Sequence, residues 1–146
     1  MVTVLTENAM KPVGPYSQAI TTPHAIYCSG QLPADAQGNL IEGTVAEKTR
    51  ACINALSAVL DSAGSGLNRI VKVQIFLTDM ADFPEMNEEY EKLISHKPAR
   101  SCVAVKELPK GVNIEIECIA LPGKRDGCRR PKPDTFVSAP ENGPEI

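Results

Sequence analysis

Residues 100–120 read RSCVAVKELPKGVNIEIECIA, and the fold turns on how this stretch is folded. Residues 100–106 and 112–120 read as strands. Glu107–Gly111 (ELPKG) lies between them with the Pro and Gly of a turn. Two strands joined by such a short link predict an antiparallel hairpin. On the second strand Val112, Ile114, Ile116 and Cys118 share the apolar face, while Asn113, Glu115, Glu117 and Ile119 face the other way. On the first strand Arg100, Cys102 and Ala104 share one face. Closing the hairpin about the Glu107–Gly111 loop is expected to bring Arg100, Cys102, Glu115 and Glu117 to a single face.

Upstream, Asp82 is placed to cap a helix, Pro84 is tolerated in its first turn, and Glu85 completes a capping box. The apolar stripe of that helix is Phe83, Met86, Tyr90, Leu93 and Ile94. Residues 70–78 (IVKVQIFLT) alternate, with Val71, Val73, Ile75 and Leu77 on one face of a core strand. An earlier helix starts at Thr44, whose capping-box partner is Glu47. Val45, Cys52, Leu56, Val59, Leu60 and Ala63 recur along it at helical spacing, and Gly64 stops it. Residues 34–43 are turn-rich, and 25–29 (AIYCS) form a strand entering a turn at Gly30. The order β-β-α-β-α-β-β predicts an α+β fold: one antiparallel or mixed sheet with both helices on one face. The other face of the sheet is left to be covered, which predicts oligomerisation through it.

The chain has 146 residues, 42% hydrophobic and 23% charged, which suits one globular domain. Aromatic residues are only 4%, with no Trp, so the core is expected to be aliphatic. Composition breaks near Pro122. Residues 122–146 hold five of the 12 Pro together with Lys124, Arg125, Arg129, Arg130 and Lys132, which predicts a domain over 1–121 and a flexible tail over 122–146. The net charge of −3 lacks the basic excess of nucleic-acid binders. The five cysteines (Cys28, Cys52, Cys102, Cys118, Cys128) are odd in number and widely spaced, without CxxC. That pattern predicts reduced thiols in a reducing compartment and no zinc or other metal site. MVTVLTENAM has neither a basic start nor an apolar core, and no run is long enough to span a membrane. A cytoplasmic location is the expectation, with a mitochondrial one as the alternative lacking a visible presequence.

Several residues are candidates for chemistry. An Arg100 guanidinium would clamp a substrate carboxylate through two hydrogen bonds. A neighbouring carboxylate, Glu115 or Glu117, would accept a proton from an attacking water. The same spacing also fits a cross-strand ion pair on a solvated face, worth about 0.2–1 kcal/mol. Cys102 as a nucleophile would need a base. The only histidines, His24 and His96, lie in loop-like segments with no orienting third group, so Cys102 reads as a residue lining a site. Asn87 lies on the buried stripe of the helix, between Phe83 and Tyr90, and needs a polar partner, either backbone or ligand. Pro12–Gln18 (PVGPYSQ) is a rigid loop that would present Tyr16 to a cleft or simply pack. Ser29 ends a strand and Gly30 follows it, where backbone N–H groups can face an anion. There is no GxGxxG after a strand, no Walker A, no HExxH and no GxSxG, which removes the nucleotide, zinc-protease and hydrolase-triad readings.

MKPVGPYSQAI, IYCSGQLP, AGSGLNRIVKVQIFLTDMADFPEMNEEY, HKPARSCVAV and NIEIECIAL, taken in order, resemble the Rid (YjgF/RidA, L-PSP endoribonuclease-like) family over about residues 2–121. The resemblance implies a chorismate-mutase-like fold and a homotrimer whose sheets form a barrel, with three sites at subunit interfaces. It implies hydrolysis of reactive 2-enamines and 2-imines, released by pyridoxal-phosphate dehydratases, to 2-keto acids and ammonia. It implies no cofactor; the short apolar runs predict no membrane partner, and the acidic balance disfavours a nucleic-acid partner. By the same resemblance Arg100 holds the substrate carboxylate, and Glu115 rather than Glu117 positions or activates the water. Cys102 lines the site, and Tyr16, Ser29, Gly30 and Asn87 bind substrate. Two other readings stand beside it: an RNA-acting or translation-inhibiting protein, and a non-catalytic metabolite-binding or chaperone-like trimer.

Overall fold

The capping box at Thr44 forms as expected. In a computed structural model, which describes residues 1–123 and 136–137, Thr44 Oγ1 accepts from the Glu47 amide at 3.2 Å, and the Glu47 carboxylate accepts from the Thr44 amide at 2.7 Å. Two orphan amides are satisfied, and such a cap contributes about 1 kcal/mol. Helix α1 (Val45–Ser62) follows and buries Cys52, Ile53, Leu56, Val59 and Leu60 at helical spacing. Gly64 ends it with φ +77, a left-handed backbone that residues with a Cβ rarely adopt.

Helix α2 (Phe83–Leu93) starts differently from expectation. Asp82 has helical backbone angles and makes no side-chain cap bond. Its carboxylate instead accepts from Asn113 Nδ2 at 3.3 Å. Asp79 does the capping: its carboxylate accepts from the Ala81 amide at 2.8 Å and opens a 3₁₀ turn, Met80–Asp82, that runs straight into α2. Met86 and Tyr90 are buried beneath α2, and so is Glu89, a carboxylate the apolar stripe did not reveal. Glu89 accepts from Arg50 Nε of α1 at 2.8 Å and from Lys92 Nζ at 3.3 Å, which fastens one helix to the other. Those charge-assisted bonds hold the Glu89 carboxyl below its usual range, and burial opposes them.

The strands are β1 (Val2–Val4), β2 (Ala19–Thr21), β3 (Ile26–Gln31), β4 (Ile70–Leu77), β5 (Ala99–Ala104), β6 (Ile114–Ala120) and β7 (Phe136–Val137). Three strands rather than two precede α1. They form one mixed sheet in the order β5-β4-β6-β3-β2-β1-β7. Most of the expected flexible tail (124–135 and 138–146) lies outside the described residues; Phe136–Val137 pairs antiparallel with β1. No helix among the described residues is long and apolar enough to cross a membrane.

The expected hairpin does not form. β4 lies between β5 and β6, parallel to the first and antiparallel to the second. The helical crossover through α2 is the reason. A chain that leaves β4, runs back along a helix and re-enters the sheet arrives parallel to β4. It then steps over the end of β4, held by Val105 N to Leu77 O at 2.7 Å and Thr78 N to Asn113 O at 3.2 Å, and returns on the other side.

Register fixes what faces the helices. Val73 lies opposite Arg100 and Cys118, Ile75 opposite Cys102 and Ile116, and Leu77 opposite Ala104 and Ile114. Val73, Ile75, Leu77, Ile114 and Ile116 are wholly buried beneath the two helices with Leu56, Leu60 and Met86. This core is aliphatic, as the composition requires. Val71 departs from expectation: a register shift between Ile70 and Lys72 sends Ile70 inward and leaves Val71 exposed. The opposite face carries Gln74, Phe76, Glu115, Glu117 and Ile119 and has no helix over it. Tyr27 there is 50% exposed and Val103 43%, so apolar area remains in water.

Candidate active site

Arg100 stands on β5, at the edge of the sheet, and points to the helix side. Its guanidinium carbon lies 4.8 Å from the Tyr90 ring centroid and 5.6 Å from that of Phe83, both from α2. Cys102, two residues along on the same face, is half-buried and packs against the core. Burial pushes its thiol up, and the Arg100 charge partly opposes that. Asn87, Tyr90, Ile94, Lys97 and Arg100 line a cavity of about 230 Å³ between α2 and β5. Asn87 is therefore a half-buried wall of this cavity rather than part of the buried stripe.

A second group of residues gathers on the other side of the sheet. Glu115 is half-buried on β6, opposite Phe76. A Cβ built at Gly30 would overlap the Glu115 carboxylate, so glycine is what lets the carboxylate sit against β3. Burial, then the charge of Glu117 two residues along, raises the Glu115 carboxyl above its ordinary value of 4.5. Ser29 ties this end of β3 to the N-terminal loop: its Oγ donates to Ser17 O at 2.6 Å and its amide to Gln18 O at 2.9 Å. Gln18 is the wholly buried organiser of that loop. Its Oε1 accepts from Thr6 N at 2.7 Å, and its Nε2 donates to Thr6 O at 3.1 Å and Met10 O at 3.0 Å. Tyr16 follows from this scaffold, largely exposed, with its hydroxyl accepting from Val13 N at 3.2 Å.

The expected quartet thus splits in two. Arg100 and Cys102 share the helix face with Asn87, whereas Glu115 and Glu117 share the open face, with β4 between the pairs. Because Arg100 aligns with Val73 and Glu115 with Phe76, side-chain alternation puts them on opposite faces. His96 does not serve Cys102: its Nε2 donates to Ile70 O at 2.8 Å. Sequence reasoning passed over Tyr90 as a core residue and over Gln18 altogether. For Gln18 the only signal was a long polar side chain in a short run before a strand.

A small α+β domain with one mixed sheet, both helices on one face and site residues divided between the two faces defines the class. A family model described as Endoribonuclease L-PSP matches residues 6–122. Protein mmf1, mitochondrial, of Schizosaccharomyces pombe is 55% identical over 123 residues, covering 82% of this chain and 75% of that protein. The crystal structure of yeast Mmf1 superposes with a TM-score of 0.80 at 39% identity, covering 82% of this chain and 97% of that one. The crystal structure of E. coli TdcF with bound serine gives 0.78 at 34% identity, with the same two coverages of 82% and 97%. The chain belongs to the L-PSP (YjgF/RidA/Rid) family and has its chorismate-mutase-like fold.

Proposed function

We propose that this protein hydrolyses short 2-imino acids and their 2-enamine tautomers to 2-keto acids and ammonia. The observation that carries the reading is the division of the site. A guanidinium with no ion pair among the described residues faces a cavity at the sheet edge, and a partly desolvated carboxylate sits on the open face. A second copy docking on that open face would bring its own edge strand, and with it Arg100, toward Glu115. Arg100 then binds the substrate carboxylate through two parallel N–H donors. Glu115 orients a water and takes its proton as the oxygen adds to C2 of the imine. The proton passes to the nitrogen, giving a carbinolamine; its hydroxyl proton then moves to the amine as the C–N bond breaks and the C2 carbonyl forms, and ammonia leaves from a 2-keto acid. The serine bound in the E. coli relative is a small amino acid with the same carboxylate handle. No step of this scheme calls for a cofactor. The class of reaction that supplies such substrates is the pyridoxal-phosphate-dependent dehydration of serine or threonine.

The test generates 2-aminocrotonate with a threonine dehydratase in the presence of semicarbazide. The protein is expected to divert flux from semicarbazone to 2-ketobutyrate in proportion to its concentration; unchanged semicarbazone formation sinks the reading. The assembly is tested separately. Three copies of the 15.7-kDa chain give about 47 kDa by light scattering, and a monomer at working concentration overturns the shared site.

The family's name, Endoribonuclease L-PSP, keeps an RNA-cleaving reading in view. Against it stand the net charge of −3 and the histidines: only two exist, and His96 is bonded to a backbone carbonyl. Salt-sensitive RNA cleavage with multiple turnovers would favour it. Carboxylate binding without turnover would favour a metabolite-binding trimer. The mitochondrial relative in fission yeast supports a mitochondrial location as the alternative to a cytoplasmic one.

A further inference from the structure

We propose that Tyr90, assisted by Phe83, is the positioning residue that fixes the plane of the Arg100 guanidinium. The inference rests on the carboxylate-binding role given to Arg100 above. Arg100 sits on an edge strand with mostly exposed neighbours, where a long side chain keeps many rotamers. Among the described residues it forms no ion pair and no hydrogen bond. The two aromatic faces of α2 are what hold it, at 4.8 and 5.6 Å.

This manner of holding matters chemically. An acidic partner would orient the guanidinium but would occupy its N–H donors and cancel its charge. A ring face attracts the cation through the quadrupole and leaves the in-plane N–H edge free for a planar carboxylate. The platform itself is rigid. Tyr90 is only 6% exposed, and the neighbouring Glu89 is bonded to Arg50 of α1. The Tyr90 hydroxyl is buried without a hydrogen-bond partner among the described residues. A buried, unsatisfied hydroxyl is a cost, so the ring rather than the hydroxyl is the functional part.

The experiment compares Tyr90→Phe, Tyr90→Leu and Phe83→Leu. Each is read for KM and kcat in the semicarbazide competition, for 2-ketobutyrate affinity by calorimetry, and for Tm and mass. Tyr90→Phe keeps the platform and is expected to retain the wild-type KM with an unchanged or higher Tm. Tyr90→Leu is expected to raise KM and the 2-ketobutyrate Kd about five- to tenfold, with kcat within about twofold. Phe83→Leu, losing the more distant ring, is expected to raise both about two- to threefold. It decides the matter if Tyr90→Leu fails to fold. A folded Tyr90→Leu with wild-type KM and Kd overturns the proposal, as does a fall confined to kcat. If the wild type binds 2-ketobutyrate without turnover, and Tyr90→Leu weakens that binding, the platform stands and only the deaminase reading falls. If the wild type neither binds 2-ketobutyrate nor lowers semicarbazone formation, both fall.

Discussion

Replacing Arg100 by alanine is expected to lower kcat/KM for 2-iminobutanoate by about 10²–10⁴-fold while leaving Tm nearly unchanged. The size follows from two charge-assisted hydrogen bonds to the substrate carboxylate, each worth about 1.5–3 kcal/mol where a charged group is involved. The small stability change follows from the structure. Arg100 has no ion pair to lose among the described residues, and its contacts are the ring faces of Tyr90 and Phe83 at the sheet edge. Arg100→Lys keeps the charge but gives up the planar fork. It is expected to recover only about a tenth of the wild-type rate. Semicarbazide competition checks the rates and thermal denaturation the stability. An Arg100→Ala protein as active as wild type removes the carboxylate clamp from the mechanism. A large fall in Tm would instead make Arg100 a structural residue.

The parts of this site that local chemistry encodes were legible in the sequence. The Thr44–Glu47 cap, the stop at Gly64 and the inward row Ile114, Ile116, Cys118 each depend on residues a few positions apart. The pairing of β5 was not legible. Residues 105–113 have the same turn composition whether the chain doubles back on the strand it has just left or steps across the end of β4. The choice is made by α2, which returns the chain to the start of β4 and leaves only the parallel edge position. The register through β4 then sets the faces: Arg100 and Cys118 both lie opposite Val73, whereas Glu115 lies opposite Phe76 and faces the other way. A cluster expected within one chain becomes two half-sites. Gly30 shows the same limit in miniature. As a glycine after a strand it suggested an amide facing an anion. Its contact with the Glu115 carboxylate depends on β3–β6 pairing, between segments far apart in sequence.

Glu115→Gln is expected to cost about 10²–10⁴-fold in kcat, the range for loss of a positioned general base, and to make the protein more stable at neutral pH. The two effects share a cause. Burial and the neighbouring Glu117 raise the Glu115 carboxyl above 4.5, so the folded chain binds that proton more tightly than the unfolded chain does. The stabilisation gained from the protonated form is complete below the unfolded value. It is lost as pH rises through the folded one. At pH 7 the ionised carboxylate is therefore held against its solvation preference, and a neutral amide of the same shape relieves it. The Tm of Glu115→Gln should exceed that of wild type at pH 7 and converge with it toward pH 4. The acid limb of kcat in the wild type should lie above the ordinary carboxylate range. Because the charge of Glu117 is the second cause of the shift, Glu117→Gln should move that limb to lower pH and leave the plateau rate in place. A Glu115→Gln protein less stable than wild type at pH 7 would mean that the carboxylate is paired in the assembled protein. An unmoved acid limb in Glu117→Gln would mean that another group controls the rate.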